Sequence, residues 1–156
     1  MAQLNYSYDI PKGNPGGKFD LSFDEVVTRR NEEEDGVLRF GMAAMIGTAP
    51  GSSVKVPDST ATADTIEGVV LEAANTEHDL RGVVNVREGA SVSIMRKGKV
   101  WGRLAAGATA AYGAHAYVVK TGDDAGCFTD TADGNIDIGA VFGNASDDGI
   151  AVIEIR

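Results

Sequence analysis

From residue 37 onward the chain is a series of short runs of β-branched and aliphatic residues cut by glycine and aspartate. The runs fall at 37–40, 54–56, 66–71, 92–95, 100–104, 116–119, 136–142 and 150–155. Runs of this length bounded by turn formers read as strands. Arg96-Lys97-Gly98 is expected to fold one pair into a tight hairpin, and residues 144–149 to join the last pair. No helix-length segment separates the runs, so long parallel crossovers cannot be built. The pattern predicts a mainly β fold, a small barrel or sandwich of short antiparallel strands with at most one or two short helices. The alanine-rich stretch 104–111 has helix propensity, but Gly107 interrupts it and Leu104 is its only large residue. It is expected to be a loop.

The first twenty residues have no sustained period, and Gly13-Asn14-Pro15-Gly16-Gly17 is a cluster of turn formers. Leu4, Tyr6, Tyr8 and Ile10 nevertheless recur at spacing two, which puts them on one face of an extended segment. Such a segment suits an arm that adds to a partner's sheet edge or lies in its groove. Ser22-Phe23-Asp24-Glu25 has the form of a capping box, with Leu21 and Val26 at the staple positions. That predicts a short helix over 23–31, although Glu32-Glu33-Glu34-Asp35 would oppose its macrodipole. The expected organisation is an arm over 1–36, with the possible helix, and a β body over 37–156.

Composition narrows the classes. The 156 residues are 43% hydrophobic and only 6% aromatic, with twenty glycines and four prolines, as many turns between short strands would require. Fourteen basic against twenty-three acidic residues give a net charge of −9, which argues against nucleic-acid binding. The acids concentrate toward the end: from His115 onward, Asp123, Asp124, Asp130, Asp133, Asp137, Asp147, Asp148 and Glu154 face only Lys120 and Arg156. Most lie in glycine-rich breaks, as a water-facing surface would place them. No apolar run is long enough to span a bilayer, and the polar first eighteen residues do not read as a signal peptide. A single cysteine, Cys127, allows no internal disulfide or thiolate cluster. The expectation is a soluble protein with no membrane partner.

Catalytic chemistry is poorly supplied. His78 sits in the polar Asn75-Thr76-Glu77-His78-Asp79, and His115 precedes a strand; neither has a nucleophile motif beside it. Cys127, next to Phe128, reads as a small buried hydrophobe. Gly16-Gly17-Lys18 is followed by Phe19 where a phosphate loop needs Ser or Thr. Asp133, Asn135 and Asp137 have calcium-loop spacing, but Ile138 stands at the glycine position and no closing glutamate follows. Lys97 at the expected hairpin tip lacks the flanking methionines of biotinyl carriers. The chain is therefore read as a non-enzyme with no cofactor and no metal.

Taken in order, Val37-Leu38-Arg39-Phe40-Gly41-Met42-Ala43-Ala44-Met45-Ile46, Ile66-Glu67-Gly68-Val69-Val70, the run from Gly89 through Trp101, Tyr112-Gly113-Ala114-His115-Ala116-Tyr117-Val118, Phe128-Thr129, and the closing strands at 138–142 and 149–155 resemble the head decoration, or cement, proteins of tailed bacteriophages. The resemblance covers residues 37–156 and rests on strand order and glycine placement. It implies a β-barrel or β-tulip-like body on the outside of the assembled capsid, with N-terminal arms tying neighbouring capsomers together. The partners it implies are the major capsid protein and the chain itself, as a homotrimer or a dimer. The protein would then reside on the outer surface of the virion and be made in the host cytoplasm. On this reading Tyr6, Tyr8, Ile10, Phe19 and Phe23 are candidate capsid-facing anchors, since aromatic side chains dominate binding hot spots. Trp101 and His115 are candidate oligomer contacts, with the core the favoured place for Trp101. A phage tail or baseplate β module shares this composition. A carbohydrate-binding β-sandwich would need more exposed aromatic residues than are available.

Overall fold

The computed structural model describes residues 13–73 and 86–156. Nine strands occur among them: β1 (Glu25–Asn31), β2 (Ala43–Ile46), β3 (Ser53–Lys55), β4 (Ile66–Val70), β5 (Ser91–Arg103), β6 (His115–Val118), β7 (Phe128–Thr129), β8 (Ile136–Asp147) and β9 (Ile150–Ile155). The one helical element among the described residues is a 3-10 turn at Ala63–Thr65. The strands follow the order β1-β3-β2-β4-β5-β9-β8-β6-β7, and a further β1–β5 pairing closes the first five into a barrel. The expected mainly β, barrel-containing body is what the chain forms.

β5 belongs to both halves of the sheet. Its first half lies between β1 and β4, with Met95 opposite both Val26 and Val69. Its second half runs antiparallel to β9, from Gly98 opposite Ile155 to Arg103 opposite Ile150. Alternation along the strands then produces three apolar layers. Ala44, Val54, Val70, Val92 and Ile94, with half-buried Val27, come from all five barrel strands and fill the barrel with Leu38 and Val86. The intervening Ala43, Met45, Val69 and Met95 point the other way, onto Val118, Phe128, Phe142 and Ile153. Trp101, Ile150 and Val152 make a third layer on the opposite face of β5 and β9, against Phe19 and Ala145. Each fully buried side chain of this size contributes about 1.5–3 kcal/mol.

Four expectations are corrected. The helix over 23–31 is instead β1, which carries the segment expected to be an arm into the sheet. Val26, Val27 and Thr28 are β-branched and favour a pleated strand, and the Ser22 hydroxyl and amide bond to the Asp20 carboxylate rather than capping a helix. The acids that follow are used by neighbouring loops: Glu33 accepts from the Val56 N–H (2.9 Å) and Asp35 from the Glu88 N–H (2.8 Å). Arg96-Lys97-Gly98 makes no hairpin; the chain continues through it as one thirteen-residue strand whose register against β1 shifts at Arg96. Gly98 takes φ +123° there, where an added Cβ would lie 3.0 Å from Asp24 Cβ. Residues 37–40 turn rather than pair, although Leu38 is fully buried. The last connection is also tighter than 144–149, since β8 continues to Asp147. The stretch 104–111 is irregular, as its composition requires.

Candidate functional site

The leading end of the described chain is a strap laid along β5. Gly16 N–H donates to the Trp101 carbonyl (2.7 Å), Trp101 N–H to the Gly17 carbonyl (2.9 Å) and Phe19 N–H to the Lys99 carbonyl (3.0 Å). The Phe19 ring meets the indole of Trp101 edge-on at 5.8 Å between centroids. Gly13 lies against the same indole so closely that a Cβ would fall 2.0 Å from Trp101 Cε2. Glycine is therefore a packing requirement at this position. Trp101 is 5% exposed and is a core residue of its own chain, so it offers no surface to a second copy. Phe19 is half-buried in the same contact.

Beyond the strap the chain forms a braced tip. Asp20 accepts from Ser22 N–H (3.0 Å) and from Lys99 Nζ (2.9 Å), and Lys18 pairs with Asp24 across the base of the loop. The Ser22 hydroxyl and Lys99 ammonium hold the Asp20 carboxyl down at about 2. Leu21 (104% exposed) and Phe23 (84%) project from this tip, and Val26 follows them on β1. They are three of the five large exposed hydrophobic residues among those described, the others being Val37 and Tyr112. Phe23 also edges a groove of about 300 Å³ whose other walls include Lys97, Lys99, Ile155 and Arg156.

Behind β1 lies an ion cluster. The Arg29 Nε and Nη2 donate to Glu67 Oε1 at 3.0 and 2.6 Å, Arg96 donates to the same oxygen, and Arg96 Nη1 stands 3.5 Å from Glu25. Burial would raise the Glu67 carboxyl, but hydrogen bonds from Arg96 and Arg29 outweigh it and hold the group below its ordinary value. Arg29 shares a face of β1 with Val27, which lines the barrel, and reaches Glu67 from there. The cluster therefore continues the apolar filling of the barrel with charge. Nearby, the Ser53 and Thr48 hydroxyls hold the Glu32 carboxyl at about 2. These networks fix loops to strands and present no group poised for proton transfer.

The remaining candidates stand apart. His115 is exposed, stacks on Tyr117 at 6.0 Å between ring centroids and sits 3.7 Å from the Asp137 carboxylate. The Cys127 thiol is buried, and burial pushes it up. Among the described residues no group of three or more His, Cys, Asp or Glu side chains could hold a metal ion. No helix among them is long and apolar enough to cross a membrane. Tyr6, Tyr8, Ile10 and His78 lie outside the described residues. Sequence reasoning singled out Phe23 but not the exposure of Leu21. It also missed the strap, whose one legible signal was the density of glycine before Phe19.

These features define a β-barrel module in which several ion pairs and carboxylate hydrogen bonds tie loops and strands together. The chain belongs to the family of structural cement proteins described as "Structural cement protein (E217 gp24/Pam3 gp6)", whose model matches residues 2–156. It is a phage structural protein with a capsid-associated role. Among solved structures it is similar in fold to a chain of "The capsid of Myoviridae Phage XM1". The TM-score is 0.74 and the identity 15%, over 100% of this chain and 98% of that one. None of the curated proteins searched matches it.

Proposed function

We propose that this protein binds the outer surface of a phage head and cements the expanded shell, using its leading arm and the tip that follows it. The observation that carries this reading is the strap: Gly13–Phe19 is bonded to β5 and packed on Trp101, so whatever precedes Gly13 starts from a fixed root. Tyr6, Tyr8 and Ile10, alternating ahead of that root, are the arm's anchors on the major capsid protein, and Phe23 is a second anchor on the body. Phe19 belongs to the root rather than to the capsid contact. Self-association of the body joins several arms, so that after one arm binds the next contact is intramolecular, at an effective concentration near millimolar for short linkers. Binding the assembled shell in preference to free subunits stabilises it by mass action. The reading needs no nucleic acid, membrane or cofactor, and it places the protein on the virion exterior after synthesis in the host cytoplasm. Mixing purified protein with undecorated expanded heads and imaging the particles tests it. Full-length protein should decorate them, and protein lacking residues 1–12 should not. Full occupancy by the truncated protein would overturn the arm mechanism.

A further inference from the structure

The barrel is closed unevenly. β3 is three residues long and meets β1 only at Arg30 and Asn31. Arg30 N–H donates outward to Ser52 (2.9 Å), whereas Asn31 N–H donates to Ala90, on the β5 side (2.9 Å). Even-numbered positions of β1 therefore turn their main-chain groups away from β5, and at Val26 and Thr28 no described strand receives them. The Thr28 carbonyl accepts one bond from its neighbour Arg29 (2.9 Å) and keeps a second lone pair. Val26 and Thr28 are also exposed, and the bare tip of Leu21 and Phe23 lies directly upstream.

An open strand edge accepts any extended chain, so its charges decide which one it prefers. On the outward face of β1 the charges are Asp24 where the strand begins, with Lys18 beside it, and Arg30 where it ends; Glu25 and Arg29 are held by Arg96 and Glu67 of the same chain. An antiparallel copy of the same edge puts the acidic end of each strand against the basic end of the other. A parallel copy would oppose like charges. We propose that two copies of this protein associate through antiparallel pairing of their β1 edges, on a two-fold axis through Val27, with Val26 of each copy opposite Thr28 of the other. These two pairs exchange N–H and C=O groups, as hydrogen-bonded antiparallel pairs do. Leu21 and Phe23 of each copy then lie beside the seam rather than in water. The contact is isologous and closes on itself. Of the two oligomers expected for the chain, it produces the dimer. It rests on the self-association in the cementing reading and gives that step a contact, one that uses no residue before Leu21 and no capsid.

The test is sedimentation velocity on the full chain over a wide concentration range, with circular dichroism on every variant to establish folding. Wild-type protein should move from monomer to dimer, and protein lacking residues 1–12 should do the same, which separates this contact from the arm mechanism. Thr28→Pro removes an outward N–H that β5 does not use, and proline is tolerated on such an edge; it should raise the dimer dissociation constant about tenfold or more. Asp24→Arg and Arg30→Asp, which face each other across the seam, should each fail to self-associate, while an equimolar mixture of the two forms a mixed dimer. The proposal is overturned by a monomer at every concentration. It is equally overturned by an oligomer indifferent to Thr28→Pro, or by charge variants whose mixture associates no better than either alone.

Discussion

At Gly13 an added methyl group would lie 2.0 Å from Trp101 Cε2, far inside the contact distance of two carbon atoms. Gly13→Val should lift the strap and cost about 1–3 kcal/mol, the usual cost of overfilling a packed contact. Trp101 is the only tryptophan, so its emission should shift to the red as the melting temperature falls. Glu67 is the second sensitive position. Glu67→Gln leaves the guanidiniums of Arg29 and Arg96 facing each other without their shared carboxylate, which should cost about 3 kcal/mol at neutral pH. The sign with pH follows from the direction of its shift. The folded group titrates below the ordinary 4.5, so its contribution is present above 4.5 and fades as pH falls through the lower folded value. Denaturant melts of the two proteins should accordingly converge in acid and separate toward neutrality.

The strands of the body were largely legible, because the β-branched runs that form β4, β6 and β9 carry their own bounds in glycine and aspartate; β8 runs on past Gly143 to Asp147. β5 was not legible, because Arg96-Lys97-Gly98 has the composition of a turn. Its unbroken path is set by partners far away in sequence: Glu67 for Arg96, and Ile155 opposite Gly98. β1 was hidden for a related reason. Ser22 and Glu25 have capping-box spacing, and only the distant pairing of Val26 to Arg30 with Met95 to Ser91 decides for the strand. The strap was invisible as an element, since its glycines look alike whether they loop or press on a ring. Its boundary has a measurable consequence. Removing residues 1–12 should leave the melting temperature nearly unchanged, whereas removing 1–20 strips the cover from Trp101, Ile150 and Val152. The longer truncation should lose about 2 kcal/mol or more by calorimetry.

For the molecule as a whole, the candidate site was legible in kind but not in place. Alternating large residues before Gly13 suggested an arm, and Phe23 was named as an anchor, yet only the folded chain reveals that Leu21 stands beside it with no cover. An exposed pair of this size on a braced loop is an unusual surface for a body of this charge. Leu21→Ser and Phe23→Ser should leave stability within about 0.5 kcal/mol, as surface substitutions do. Each should weaken decoration of expanded heads by about fivefold or more, in the manner of hot-spot truncations. Quantitative occupancy on imaged particles, set against melting curves, reads both outcomes.

The strap has one mechanical consequence. Gly17 N–H donates to the Asn14 carbonyl (2.8 Å), so the chain turns between Gly13 and the ladder, and a pull ahead of Gly13 has to open that turn before it strains the bonds at Trp101 and Lys99. Behind the turn the load passes into β5, which is stitched to β9 on one half and to β1 and β4 on the other. A swelling shell that tugged on the leading end would meet a yielding bend first and the best-anchored strand second.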